Sequence, residues 1–177
     1  MKKMLKNQKG FSLVELLIVI AIMGVLAAVA FSMFAGVLGN SKRRADERTA
    51  DQIAKAISAY MVDTGDTELT VLIKSGSEGS NDVEKVIVNL QKELWIWKNT
   101  SGNFESAESA PSGNPDAKKY GPYLTPKDGK DANYESYAPQ WDKHEGYYIE
   151  YYPGLMKADV TPVEKGGTVE VKVEEGK

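Results

Sequence analysis

Polarity along the chain is distributed very unevenly. Four lysines (Lys2, Lys3, Lys6 and Lys9) and no acid precede Phe11, and the chain then turns apolar. From Leu16 to Leu38, 23 residues carry no charge, and no later stretch is comparable. About 20 consecutive apolar residues span a bilayer core as a helix, so residues 11–39 predict one membrane-length helix. From Asn40 to Asp63 the pattern changes but stays helical. Ala50, Ile53, Ala54, Ile57, Tyr60 and Met61 recur at spacings of three and four and form one apolar stripe. Lys42, Arg43, Arg44, Asp46, Glu47, Arg48 and Asp51 are expected to cover the solvated remainder. A helix from Phe11 to Val62 would be ~75 Å long at the α-helical rise. Thr64-Gly65-Asp66 should end it, with Gly65 in the left-handed cap position.

Beyond the helix the periods shorten. Glu68–Lys74 reads as a short strand, on Thr70, Val71 and Ile73. After a turn-rich link at residues 75–80, Asn81 with Glu84 three positions later looks like a capping box. Val83, Val86, Ile87, Leu90 and Leu94 would be the apolar face of a second helix. Trp95 and Trp97 are expected to close the core, since large aromatics are usually mostly buried; a sugar-binding platform is the other reading. Asn99–Asp116 reads as an exposed loop. Final strands are expected at Gly146–Tyr152, Met156–Val163 and Gly167–Glu174, the last alternating Val169, Val171 and Val173 with charges as an edge strand does. The predicted class is therefore α+β: a long N-terminal helix packed on a small antiparallel sheet, with soluble head residues 40–177 including the amphipathic half of the helix.

Charge and cysteine content narrow the possibilities. Setting aside the four leading lysines leaves 18 basic residues against 25 acidic ones, a net −7 for the rest. A nucleic-acid surface needs clustered positive charge, so nucleic acid is not an expected partner, and Lys42–Arg44 reads as a solvated face. The leading lysines place that end in the cytoplasm by the positive-inside rule. Cysteine is absent, which excludes thiolate-zinc, cysteine-nucleophile and redox chemistry and leaves the head to packing and hydrogen bonds.

Two features of the N-terminus remain. An ordinary secretory signal places its small-residue cleavage site after the apolar core; here Gly10 lies before it, so a cut there would leave the helix on the mature protein. Residues 1–10 then form a leader, and Phe11 gains a free amine with a pKa of about 8. Glu15 stands inside the apolar run, where a carboxylate is costly and by default marks function. It either sits at the membrane edge among headgroups or pairs with the Phe11 amine of a neighbouring, axially displaced subunit.

The run Lys9-Gly10-Phe11-Ser12-Leu13-Val14-Glu15-Leu16-Leu17 and onward to Ile22 closely resembles the class III signal of type IV prepilins and of type II secretion pseudopilins. It most resembles that of major pilins of Gram-positive bacteria such as clostridia. The resemblance implies cleavage between Gly10 and Phe11 by a prepilin peptidase, N-methylation of Phe11, and assembly through Glu15 and Phe11. It implies self-polymerisation driven by an external ATPase and membrane platform proteins, from a single-pass precursor in the cytoplasmic membrane to a surface pilus serving adhesion, motility or biofilm. Tyr120-Gly121-Pro122-Tyr123-Leu124 resembles the element before the sheet in many heads of this family. Position 32, a proline in many members, is Ser here, with Gly24, Gly36 and Gly39 the helix-weakening residues. The alternatives are a pseudopilin of a secretion or DNA-uptake machine, or a membrane-tethered binding domain or enzyme with an uncleaved anchor.

An active site is not expected. His144 is the single histidine and reads as part of a surface turn; no Gly-x-Ser-x-Gly or phosphate-loop element occurs. Asp142/Glu145 and Glu174/Glu175 read as solvated charges. Asp128-Gly129-Lys130-Asp131 offers oxygens without the spacing of an EF-hand. No catalytic residue, metal or cofactor is predicted.

Overall fold

In the computed structural model, which describes residues 12–74, 79–126 and 131–174, helix α1 runs from Leu13 to Thr64. It passes through Gly24, Ser32, Gly36 and Gly39 without a break, and Ser32 Oγ donates back to Val29 O at 3.2 Å. The chain divides into two units, one ending at Ser41 and the other beginning at Lys42. In the second unit the predicted stripe is the core: Ala50, Ile53, Ile57, Tyr60 and Met61 are buried. The helix ends as its sequence indicates. Gly65 adopts φ +74° and donates to Met61 O at 3.0 Å.

The segment read as a first strand is instead helix α2, Thr70–Lys74. Its β-branched residues favour a strand, but Asp66 overrides them. The Asp66 carboxylate is buried and accepts from Thr70 N–H (3.0 Å), Val71 N–H (2.9 Å) and Tyr60 Oη–H (2.7 Å). It thereby satisfies the first free amides of a helical turn. Helix α3, Asp82–Asn89, starts at the predicted cap: Glu84 N–H donates to Asn81 Oδ1 at 3.0 Å, and Glu84 reaches back to Ser80 N–H at 2.6 Å. Val83, Val86 and Ile87 are buried as expected, whereas Leu94 belongs to the following strand.

Among the described residues, six strands form two three-stranded sheets. The first has the order β2–β1–β3, all antiparallel, from β1 (Leu94–Lys98), β2 (Phe104–Ala107) and β3 (Lys118–Tyr120). Strand β2 lies within the segment read as a loop. Asn99 makes the hairpin: its Oδ1 accepts from Ser101 and Asn103 N–H (2.9 and 3.0 Å). Leu94 and Ile96 point into the core, so alternation sends Trp95 and Trp97 to the opposite face, half-buried. The expectation that the tryptophans close the core fails for that reason.

The second sheet has the order β5–β4–β6, from β4 (His144–Tyr152), β5 (Lys157–Glu164) and β6 (Val171–Val173). β4 pairs antiparallel with β5 and parallel with β6. β5 ends beside the start of β4 (His144 opposite Glu164), and the chain crosses there to the other edge. The crossing passes over Gly146, where a Cβ would lie 2.8 Å from a Val169 methyl. A strand entered from that end has to run with β4. Val169 and Val171 pack against the core as the alternation predicted, but Val173 is exposed and the strand is shorter than the expected Gly167–Glu174.

The Tyr120-Gly121-Pro122-Tyr123-Leu124 element joins the end of α3 to the first sheet. The Gly121–Pro122 bond is cis, and Tyr123 and Leu124 N–H both donate to Leu90 O (2.8 and 2.9 Å). Gly121 has φ +80°, and a Cβ there would lie 2.6 Å from Lys92 O. Gly121→Ala is therefore expected to lower stability by about 1–3 kcal/mol, read as a shift in the urea midpoint followed by tryptophan fluorescence.

Buried phenols set an alkaline limit. Desolvation, and then the Asp66 charge, pushes Tyr60 far above the usual tyrosine range; desolvation and then Asp46 does the same to Tyr147. Burial, with Glu84 and Glu135 behind it, pushes Tyr134 up to about 12. An unfolded tyrosine titrates near 10. Above that pH the unfolded chain sheds protons that the folded chain keeps, so stability falls as pH rises. Urea midpoints between pH 9 and 11.5 should decline from about pH 10, and less steeply in Tyr60→Phe.

Candidate functional site

Of the three N-terminal residues singled out by sequence, Gly10 and Phe11 lie outside the described residues, and Glu15 lies within them. Glu15 Oε2 accepts from Ser12 N–H at 3.1 Å, while Ser12 Oγ accepts from Val14 N–H at 3.3 Å. This is half of the reciprocal pattern by which Ser-x-x-Glu closes a helix start. The spacing is plain in the sequence and supplies a local role that reading Glu15 for assembly alone passes over. A carboxylate oxygen can accept further bonds, so the cap leaves Glu15 able to meet an external cation.

Around Glu15 the helix is apolar on every side. Each large apolar side chain from Leu13 to Leu38 is exposed, Leu13 at 85% and Phe31 at 78%. By length and composition this helix can cross a membrane. Removing one such side chain from water stabilises by about 1.5–3 kcal/mol, so the helix needs a lipid or protein environment that its own chain does not supply.

The head holds a polar cluster that sequence reasoning assigned to the surface. Asp46 is buried, 1% exposed, and His144 has a side chain only 6% exposed. Asp46 Oδ1 accepts from Gln140 N–H at 2.7 Å; Oδ2 accepts from Trp141 N–H at 3.1 Å and lies 2.7 Å from His144 Nδ1. Trp141 meets the imidazole edge-on, with centroids 4.7 Å apart. The reading of both residues as solvated fails because the partners lie nearly 100 positions apart, and only the fold brings them together. A buried carboxylate on a histidine could serve catalysis, but here the carboxylate is spent on two backbone amides and the imidazole is packed against Trp141. The cluster fastens the segment before β4 to α1. Lys42 Nζ adds an exposed pair to Asp142 at 3.4 Å.

The other candidates stay apart. Arg43 pairs with Glu47 along the helix at 3.2 Å. Asp142 is exposed, as expected, and Glu175 is outside the described residues, as are Asp128, Gly129 and Lys130 of the oxygen-bearing loop. Among the described residues no group of three or more His, Asp or Glu side chains is placed to hold a metal ion.

Residues 5–31 match the family described as the prokaryotic N-terminal methylation motif. That motif is the class III signal peptide of type IV pilins and pseudopilins, and it supports reading the chain as the precursor of one or the other. It implies processing by a prepilin peptidase, self-polymerisation and a membrane-anchored precursor. No solved structure matches the chain.

Asp46→Ala would strand two backbone amides and the imidazole. It is expected to cost about 2–5 kcal/mol, measured as the fall in urea midpoint against the parent chain. Lys42→Ala, which removes only an exposed pair, should change the midpoint by less than about 1 kcal/mol.

Proposed function

We propose that this chain is the structural subunit of an extracellular type IV pilus and has no catalytic activity of its own. A prepilin peptidase cuts after Gly10 and methylates Phe11, and the mature chain polymerises through the helix from Leu13 to Leu38. The observation that carries this reading is the coincidence of two features in one segment. A methylation motif at residues 5–31 adjoins a helix whose large apolar side chains are all exposed, with Glu15 the single acid among them. Helices of neighbouring subunits would bury those side chains against one another once they leave the lipid. Glu15 would meet the Phe11 amine of a displaced neighbour, since either charge alone in an apolar core costs several kcal/mol. Polymerisation would draw on an external ATPase and membrane platform proteins. The precursor would reside in the cytoplasmic membrane and the product on the cell surface.

Material sheared from cells should have an N-terminal mass beginning at methylated Phe11, and electron microscopy should show long filaments. An intact Met1 would point to a tethered domain, and short or absent filaments to a pseudopilin. The capping role of Glu15 dictates the choice of variant. Glu15→Gln keeps an acceptor for Ser12 N–H but removes the charge, whereas Glu15→Ala removes both. If charge pairing drives assembly, both variants should lose most filament incorporation while the head stays folded by circular dichroism. Wild-type yield from Glu15→Gln would sink the pairing account and leave helix capping as the role.

A further inference from the structure

We propose that the head carries a binding site for a carboxylated sugar, in a cleft on the inward face of the first sheet beside the end of α1. Leu94, Ile96 and Lys98 alternate onto that face, and their cross-strand partners Tyr120, Lys118 and Phe104 share it. Leu94 and Ile96 are buried in the core, but the face continues past them. α1 ends at Thr64, which lines the cleft, and Pro115 and Asp116 stand as its other wall. The cleft is open to solvent and has a volume of ≈ 370 Å³, at the low end of the range of about 300–1,000 Å³ for small-molecule sites.

Its lining is unusual for an incidental groove. Lys98 and Lys118 are diagonal neighbours on one sheet face, a spacing of about 7–8 Å, and both are exposed. Among the described residues neither has a carboxylate partner. Lys98 Nζ rests over the Phe104 ring at 4.6 Å, and Lys118 makes no ion pair among the described residues. The half-buried Tyr120 hydroxyl likewise makes no hydrogen bond within the described residues. Two like charges side by side over an apolar floor of Ile96 and Phe104 are an arrangement that an anion would relieve. The single acid of the cleft, Asp116, is placed to accept from hydroxyls.

The matching ligand has one carboxylate that draws the Lys98 ammonium off the Phe104 ring and toward Lys118, an apolar ring face for the aromatic surface so freed, and hydroxyls for Asp116 and Tyr120. A uronic acid unit carries all three. A neutral sugar lacks the anion. A nucleic acid strand would need a continuous basic track, and Glu93, Glu105 and Glu108 border this sheet while the chain beyond Gly10 carries −7. The proposal requires neither cleavage nor assembly.

The test uses the full-length chain in detergent micelles and fluorescent trigalacturonic acid, read by anisotropy. Binding should saturate, and unlabelled trigalacturonate but not maltotriose should compete. The double variant K98Q/K118Q should weaken binding at least about tenfold, the loss of one charge-assisted hydrogen bond. Tyr120→Phe should weaken it by a smaller factor, with an unchanged circular dichroism spectrum in both. No saturable binding, retention of affinity in both variants, or competition by maltotriose would overturn the site. Equal competition by a thymidine decanucleotide or inorganic phosphate would overturn it too, leaving only general attraction of anions.

Discussion

Two buried carboxylates hold the head to its helix. Asp46 lies near the start of the packed half of α1 and Asp66 just beyond its end, each about 1% exposed. Between them runs the stripe from Ala50 to Met61 that supplies one wall of the core. Burying a charge is costly unless it is fully partnered, and each of these is. Asp46 gathers Gln140, Trp141 and His144; Asp66 gathers Tyr60, Thr70 and Val71. Hydrophobic packing alone would place a sheet somewhere against the stripe. The carboxylates specify where the flanking segments land, and the satisfaction is complete: among the described residues no buried side-chain nitrogen or oxygen lacks a partner.

The two units solve opposite problems. From Lys42 onward the chain buries its own apolar surface. The unit ending at Ser41 buries none of its large side chains from Leu13 to Leu38. The unit from Lys42 forms a core of its own, whereas the unit ending at Ser41 leaves its large apolar side chains for an external environment to cover. Composition averaged over the chain hides this division, whereas the order of residues displays it.

What could be read in advance follows the range of the interaction. The helical stripe, the Gly65 cap and the Asn81 capping box depend on neighbours within four residues, and all three stood in the sequence. So did the N-terminal motif, including the Ser12–Glu15 spacing that closes the start of the helix. Asp46 could not be read, because its partners are nearly 100 residues away. The sequence reads Leu94 as part of the second helix, so the alternation that sets Trp95 and Trp97 opposite Leu94 and Ile96 emerges only once β1 pairs with its neighbours. Strand β2 hid in a polar segment because its pairing with β1, and not its own composition, makes it a strand. The cleft beside Thr64 arises from the register of three strands and the length of one helix, which no local pattern encodes.

Cysteine is absent from the chain, and this bears on how the head would respond to mechanical load. A disulfide tie holds until it breaks covalently, and rebuilding it requires an oxidant. The ties of Asp46 and Asp66 are sets of hydrogen bonds to a carboxylate, stronger than those to a neutral acceptor but parting without the breaking of a covalent bond. Their donors are mostly backbone amides next to the strand or helix that they fix, which leaves the partners close by after rupture. A head fastened this way needs no oxidant to rebuild its ties once they have parted.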